Sequence, residues 1–162
     1  MSSVLVFPVA ASPLPLLHAP VAVPAGFPSP AQDWYDGPID LTAELVKDQA
    51  ATFVVRVAGH SMEGAGISDG DELLVDRSLT PKDGDVVVAV LDGELTVKRL
   101  ATGPGGVVLR SANPAYPDIP VPEAADLLIW GVATFCIHHL RARGSSHQMH
   151  ESATSKGPRR AD

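Results

Sequence analysis

Residues 85–100 read DVVVAVLDGELTVKRL. Two runs rich in β-branched residues flank the pair Asp92-Gly93. A two-residue Asp-Gly loop wants positive φ at both positions, and that geometry turns one strand tightly back on the next. This stretch therefore predicts an antiparallel hairpin. On its second strand, alternation puts Glu94, Thr96, Lys98 and Leu100 on one face and Leu95, Val97 and Arg99 on the other.

The same β-like texture extends both ways, from position 52 to 140. Upstream lie TFVVRV (52–57) and ELLVD (72–76), and downstream GVVLRSA (106–112) and DLLIWGVATFCIHHL (126–140). Turn signals separate the runs at Asp69-Gly70, Asp83-Gly84, residues 103–106 and Asn113-Pro114. The fold class is mostly β, largely antiparallel, with a body over residues 39–140. One short helix is expected over DLTAELVKD (40–48), capped by Asp40, with Leu41, Leu45 and Val46 on one face. One such helix is too little for a helix-turn-helix module. No internal repeat is visible.

Residues 1–38 are apolar and proline-rich and read as an irregular, extended arm. Its small residues after Val23 suggest a secretory cleavage site. However, no Lys or Arg precedes the apolar part, and Pro8, Pro13, Pro15, Pro20 and Pro24 interrupt it, so an uncleaved arm is expected. Residues 141–162 lose the pattern. Arg141, Arg143, Lys156, Arg159 and Arg160 face only Glu151 and Asp162, which suggests a disordered basic tail.

The chain has 162 residues, 45% of them hydrophobic, enough for one packed domain. Aromatics are only 5%, so the core should be built from Val, Leu, Ile and Ala. A net charge of −7 argues against strong direct nucleic-acid or anionic-membrane binding. No apolar run reaches the ~20 residues of a membrane-spanning helix. Cys136 is the single cysteine, so no internal disulfide can form and no oxidising compartment is demanded.

One stretch raises a chemical question. AGHSMEGAGISDGDELLVD (58–76) is glycine-rich and holds Ser61. A serine hydroxyl attacks only when a base takes its proton. His60 adjoins it, but neighbours in extended chain point to opposite sides. His138 and His139 end the last run, and with only Cys136 nearby they read as surface histidines rather than a zinc site. Asp69, Asp71 and Asp76 do not complete a calcium loop, because Leu73-Leu74 occupy ligand positions. Lysine is the remaining candidate, and Lys98 taken alone reads as a solvated strand residue.

In combination, GHSMEGAGISDGDELLVDRS followed by GDVVVAVLDGELTVKRL resembles the LexA/UmuD family of self-cleaving serine–lysine proteins. Lys98 follows Ser61 by 37 positions, the family's spacing. AGFPSPAQD (25–33) and SANPAYPDI (111–119) extend the resemblance over about residues 25–140. It is strongest to the UmuD branch, accessory subunits of SOS-response translesion polymerases. The resemblance implies a LexA/UmuD-type catalytic β domain, with Ser61 as nucleophile and Lys98 as general base. It also implies an oxyanion held by backbone N–H groups of His60 and Ser61, and a cut at Ala25-Gly26 in the protein's own arm. No cofactor is implied. The implied partners are a second copy in a homodimer, a RecA filament that stimulates the cut and a translesion polymerase catalytic subunit, all in the cytoplasm. The proline-rich arm and the basic tail depart from the family pattern. Two other readings remain: a signal-peptidase-like enzyme acting in trans, and a non-catalytic polymerase-docking protein.

Overall fold

The computed structural model describes residues 5–8, 15–17 and 38–141. Among these residues ten strands form, β1 (Leu5–Pro8), β2 (Pro15–Leu17), β3 (Pro38–Asp40), β4 (Thr52–Arg56), β5 (Glu72–Asp76), β6 (Val86–Leu91), β7 (Glu94–Gly103), β8 (Gly106–Arg110), β9 (Ile119–Val121) and β10 (Leu127–Ile137). Eight make one sheet in the order β1-β4-β5-β10-β6-β7-β8-β9, and β2 pairs with β3 separately. Every pairing is antiparallel.

The hairpin expected at residues 85–100 is present. β6 and β7 pair from Val86↔Arg99 to Leu91↔Glu94. The loop has φ 49° at Asp92 and 85° at Gly93, the two positive values that a two-residue turn of this kind needs. β6 is apolar on consecutive positions because both of its faces are covered. Val88 packs with Val55, Val57, Met62, Leu73, Val75 and Val97. Val87 and Ala89 pack with Leu100, Leu109 and Val132 in a second cluster. A strand buried on both faces loses the apolar–polar alternation of a half-exposed one.

β10 lies between β5 and β6 and is the longest strand, with 11 residues. Its register shifts between Ile129 and Gly131 on the β6 side, and between Ala133 and Phe135 on the β5 side. These irregularities bend a strand that must serve two neighbours.

Some sequence expectations change. The arm is not wholly irregular: β1 adds to the edge of β4, and β2 pairs with β3 across the line between residues 38 and 39. Segments of four and three residues are too short to show periodicity, and their prolines hid them. β9 was not expected either, because Pro120 interrupts it. It is an edge strand, where proline is tolerated. The helix α1 (Leu41–Leu45) forms where expected, and the Asp40 carboxylate accepts from the Thr42 and Ala43 N–H groups. None of its residues is buried, so its apolar face is not a core face. Ala25, Gly26 and residues 142–162 lie outside the described residues.

Candidate active site

β4 ends at Arg56, and the chain then turns through residues 57–62 before a single 3-10 turn, Glu63–Ala65. The start of that loop is tied to the approach to β5. The Val57 N–H donates to the Asp71 carbonyl at 2.8 Å, and the Gly59 N–H to the Asp69 carboxylate at 2.7 Å. The acids once considered as calcium ligands are thus backbone-capping groups: Asp71 also accepts from Ser68 N–H, and Asp76 from Ser78. Met62 is driven into the core, 2% exposed, and its neighbour Ser61 stays half-buried at the surface.

Lys98 comes to meet it from β7. Its backbone is opposite Val87, and only 8% of the residue is exposed. Lys98 Nζ lies 2.7 Å from Ser61 Oγ and 3.1 Å from the Val97 carbonyl. The two residues are 37 positions apart in sequence and touch only because the fold brings the loop onto the hairpin. Burial lowers the Lys98 pKa from its ordinary 10.5, because the ammonium loses hydration that no carboxylate replaces. Lys98 Nζ donates to Ser61 Oγ and to the Val97 carbonyl, and once it loses a proton it can keep the Val97 bond and offer its lone pair to the Ser61 hydroxyl. The arrangement can therefore move a proton off Ser61 Oγ.

A small cleft opens beside the pair, about 40 Å³ in volume and walled by Val57, Ala58, Gly59, Leu95, Thr96 and Val97. A cleft of this size suits a methyl side chain better than a large one. The N–H groups of His60 and Ser61 make no hydrogen bond to a protein acceptor among the described residues. His60 is engaged elsewhere, its Nδ1 2.6 Å from the exposed Glu63 carboxylate. Ser61 therefore has an amine, not an imidazole, as its side-chain partner.

Sequence reasoning missed the groups that hold the serine loop from the far side. The Ala112 N–H donates to the Ser61 carbonyl at 2.8 Å, and Asn113 Nδ2 to the His60 carbonyl at 2.8 Å. The Gly64 N–H returns a bond to the Ala112 carbonyl at 2.6 Å. Asn113-Pro114 reads as an ordinary turn, and the resemblance over residues 111–119 gave these residues no role.

A second group of reactive residue types gathers at the end of β10. Asp71 is buried, and its carboxylate faces His138 Nδ1 at 2.8 Å and Cys136 Sγ at 3.5 Å. Burial and the adjacent Asp71 carboxylate push the Cys136 thiol up to about 11, which makes it a poor nucleophile near neutrality. Burial alone would raise the Asp71 pKa. Hydrogen bonds from Ser68 N–H, His138 and Cys136 outweigh it and lower the value. No cluster of three or more His, Cys, Asp or Glu among the described residues could hold a metal ion. No helix among them is long and apolar enough to cross a membrane.

Residues 15–134 match the Peptidase S24-like family. The chain is 47% identical to the protein SamA of Salmonella typhimurium over 119 residues, 74% of this chain and 82% of that protein. It is 43% identical to the protein ImpA of Escherichia coli over 122 residues, 72% of this chain and 79% of that one. The LexA repressor of Verrucomicrobium spinosum is 38% identical over 112 residues, 68% of this chain and 54% of the repressor.

Proposed function

Because the chain belongs to the Peptidase S24-like family, as a UmuD-like serine peptidase of the SOS-mutagenesis group, we propose that it cuts its own arm at Ala25-Gly26. The product, residues 26–162, is a shortened accessory subunit for error-prone translesion DNA synthesis. One observation carries the chemistry: a buried lysine amine 2.7 Å from a serine hydroxyl, with the adjacent histidine committed to Glu63.

The steps follow from that geometry. Neutral Lys98 takes the proton of Ser61 Oγ, and the oxygen attacks the Ala25 carbonyl carbon. The oxyanion of the tetrahedral intermediate is received by backbone N–H groups at Ser61 and His60. The Lys98 ammonium then protonates the departing Gly26 nitrogen, and water releases the acyl group from Ser61. Ala25 suits the small cleft, and glycine after it lets the chain pass close to the serine. The arm is tethered to its own catalyst, so a slow catalyst still meets its substrate at high effective concentration.

In this reading residues 1–38 are the substrate arm, 39–140 the peptidase domain and 141–162 a basic tail. A homodimer is part of it, supported by the exposed Phe135, Ile137 and Leu140 at the end of β10. So are a RecA filament that stimulates the cut, a polymerase catalytic subunit that receives the product, and a cytoplasmic location. These rest on the family resemblance. The deciding experiment is incubation of the purified chain alone. A single cut at Ala25-Gly26 is the expected result. Cutting of added peptides only would favour a signal-peptidase-like enzyme, and an intact chain would favour a docking protein without catalysis.

A further inference from the structure

The loop over residues 111–116 reaches the two peptide groups that flank Ser61. Asn113 Nδ2 holds the His60 carbonyl and the Ala112 N–H holds the Ser61 carbonyl, both at 2.8 Å, while the Glu63 N–H adds a longer bond of 3.4 Å to the His60 carbonyl. Each carbonyl shares a rigid plane with the N–H that follows it, and the two point in opposite directions. Fixing the His60 carbonyl therefore aims the Ser61 N–H, and fixing the Ser61 carbonyl aims the Met62 N–H. The two planes together set φ and ψ of Ser61, and so the direction in which its Cβ and Oγ leave the backbone. The Ser61 N–H so aimed has no protein acceptor among the described residues.

The side chain that does this is itself held. Asn113 Oδ1 accepts from the Ala115 N–H at 3.0 Å, and the Asn113 carbonyl from the Tyr116 N–H at 3.0 Å. That local turn leaves the amide donor facing His60. An asparagine needs both halves here: the oxygen to close its own turn, the nitrogen to reach across.

We infer that Asn113 is a positioning residue for self-cleavage, orienting the Ser61 peptide so that Oγ meets Lys98 and the Ser61 N–H faces the developing oxyanion. The inference rests on the reading of Ser61 as the nucleophile. It does not make Asn113 a catalytic residue, since its side chain touches a backbone carbonyl rather than the reacting atoms.

Asn113→Asp keeps the oxygen that closes the turn and removes the donor but adds a carboxylate charge, so the neutral Asn113→Ala is read beside it and both must lose rate. First-order self-cleavage of the full chain would be followed across pH 7–11, together with thermal melting. Asn113→Asp and Asn113→Ala should each lower the plateau rate about ten- to a hundredfold, the scale of an approximately 1 Å misplacement. For the neutral Asn113→Ala the pH midpoint should stay at the wild-type value, because the Lys98 partners are unchanged, whereas the added carboxylate of Asn113→Asp can only move it upward. If Asn113→Asp melts below the assay temperature, Asn113→Ser substitutes: its hydroxyl can close the turn but is too short to reach His60. An Asn113→Asp chain that cuts within twofold of wild type would overturn the inference. So would a loss that disappears when each variant is assayed equally far below its own melting temperature, since that is a structural effect. Ser61→Ala runs in parallel. If it still cuts, or if the wild type never cuts, the nucleophile reading fails and this inference with it. If it is silent while Asn113→Asp is normal, only the role of Asn113 fails.

Discussion

The strand carrying Lys98 is held by ladder hydrogen bonds: β6 along residues 94–99 and, from Arg99 onward, β8 on its other side. The loop carrying Ser61 has no ladder. Its carbonyls are held one at a time by Ala112, Asn113 and its own 3-10 turn. One partner is therefore built into the sheet, and the other is suspended between segments distant in sequence. This division fits the two tasks proposed for them. A base whose pKa is set by burial needs surroundings that do not move. A nucleophile that must receive a chain from outside needs a site at the surface, and surface loops provide it.

Removing either reacting group is the bluntest test of this comparison. Ser61→Ala and Lys98→Ala should each abolish self-cleavage, a loss of at least about 10²–10⁴-fold for the base. Melting should change little for Ser61→Ala, whose hydroxyl is half-exposed. Detecting the 26–162 product from either purified variant, with no wild-type chain present, would refute the assignment. A residual cut in Lys98→Ala alone would mean that the sheet side is dispensable.

The two sides were unequally legible in the sequence. The hairpin could be read because its determinants are adjacent: Asp92-Gly93 between two β-branched runs. The meeting of Ser61 with Lys98 could not be derived from periodicity, which left Lys98 a solvated strand lysine. Only a resemblance in spacing pointed to the contact. The Ala112–Asn113 clamp was invisible for a stronger reason. Its partners are backbone carbonyls, one of them 53 positions away from Asn113, and a carbonyl leaves no mark on residue identity. The short pairings of β1, β2 and β9 were lost among prolines. His60, the histidine beside Ser61 in sequence, is engaged by Glu63 three positions on, a pairing that became visible only with the loop's geometry.

Glycine-to-alanine substitutions compare the two regions with the same chemical change. On the loop side, a Cβ at Gly64 would lie 2.3 Å from the Ala112 carbonyl oxygen, the acceptor of Gly64's own N–H. Neither backbone can yield without opening the contact between the two loops. Gly64→Ala should destabilise the fold by about 1–3 kcal/mol and slow cleavage about a hundredfold. Denaturant melts and gel-based rates would measure both. Wild-type rates from Gly64→Ala would show that the loop does not need its clamp.

The pH dependence of wild-type cleavage isolates the strand side. Burial lowers the Lys98 pKa from 10.5, so the neutral fraction at any given pH is larger than for an exposed lysine. Cleavage should therefore rise about tenfold per pH unit until it levels off at the apparent pKa of Lys98, which lies below the ordinary lysine value. A histidine base would instead level off near ~6.5. A profile flat from pH 7 to 10 would remove Lys98 from the mechanism. The Gly64→Ala chain should show a lower plateau at the same midpoint, because it disturbs the serine loop and not the lysine's burial.

The smallest effect is expected at the hairpin tip, and it tests whether the strand side is as rigid as its ladders imply. Gly93 has φ 85°, in the left-handed region, and an added Cβ would meet nothing within 4 Å. The cost of Gly93→Ala is therefore backbone strain alone, about 1 kcal/mol, read as a fall of a few degrees in melting temperature. That strain enters next to the Leu91↔Glu94 pair, and the pairs from Val90↔Leu95 to Val88↔Val97 separate it from Val87↔Lys98. β10 pairs with the other edge of β6 over this same length, so the strain has little freedom to travel. Cleavage should stay within about twofold of wild type, against the hundredfold loss expected at Gly64 for the same added methyl group. A tenfold loss from Gly93→Ala would mean that the turn helps to poise Lys98, and that the base is no better anchored than the nucleophile it serves.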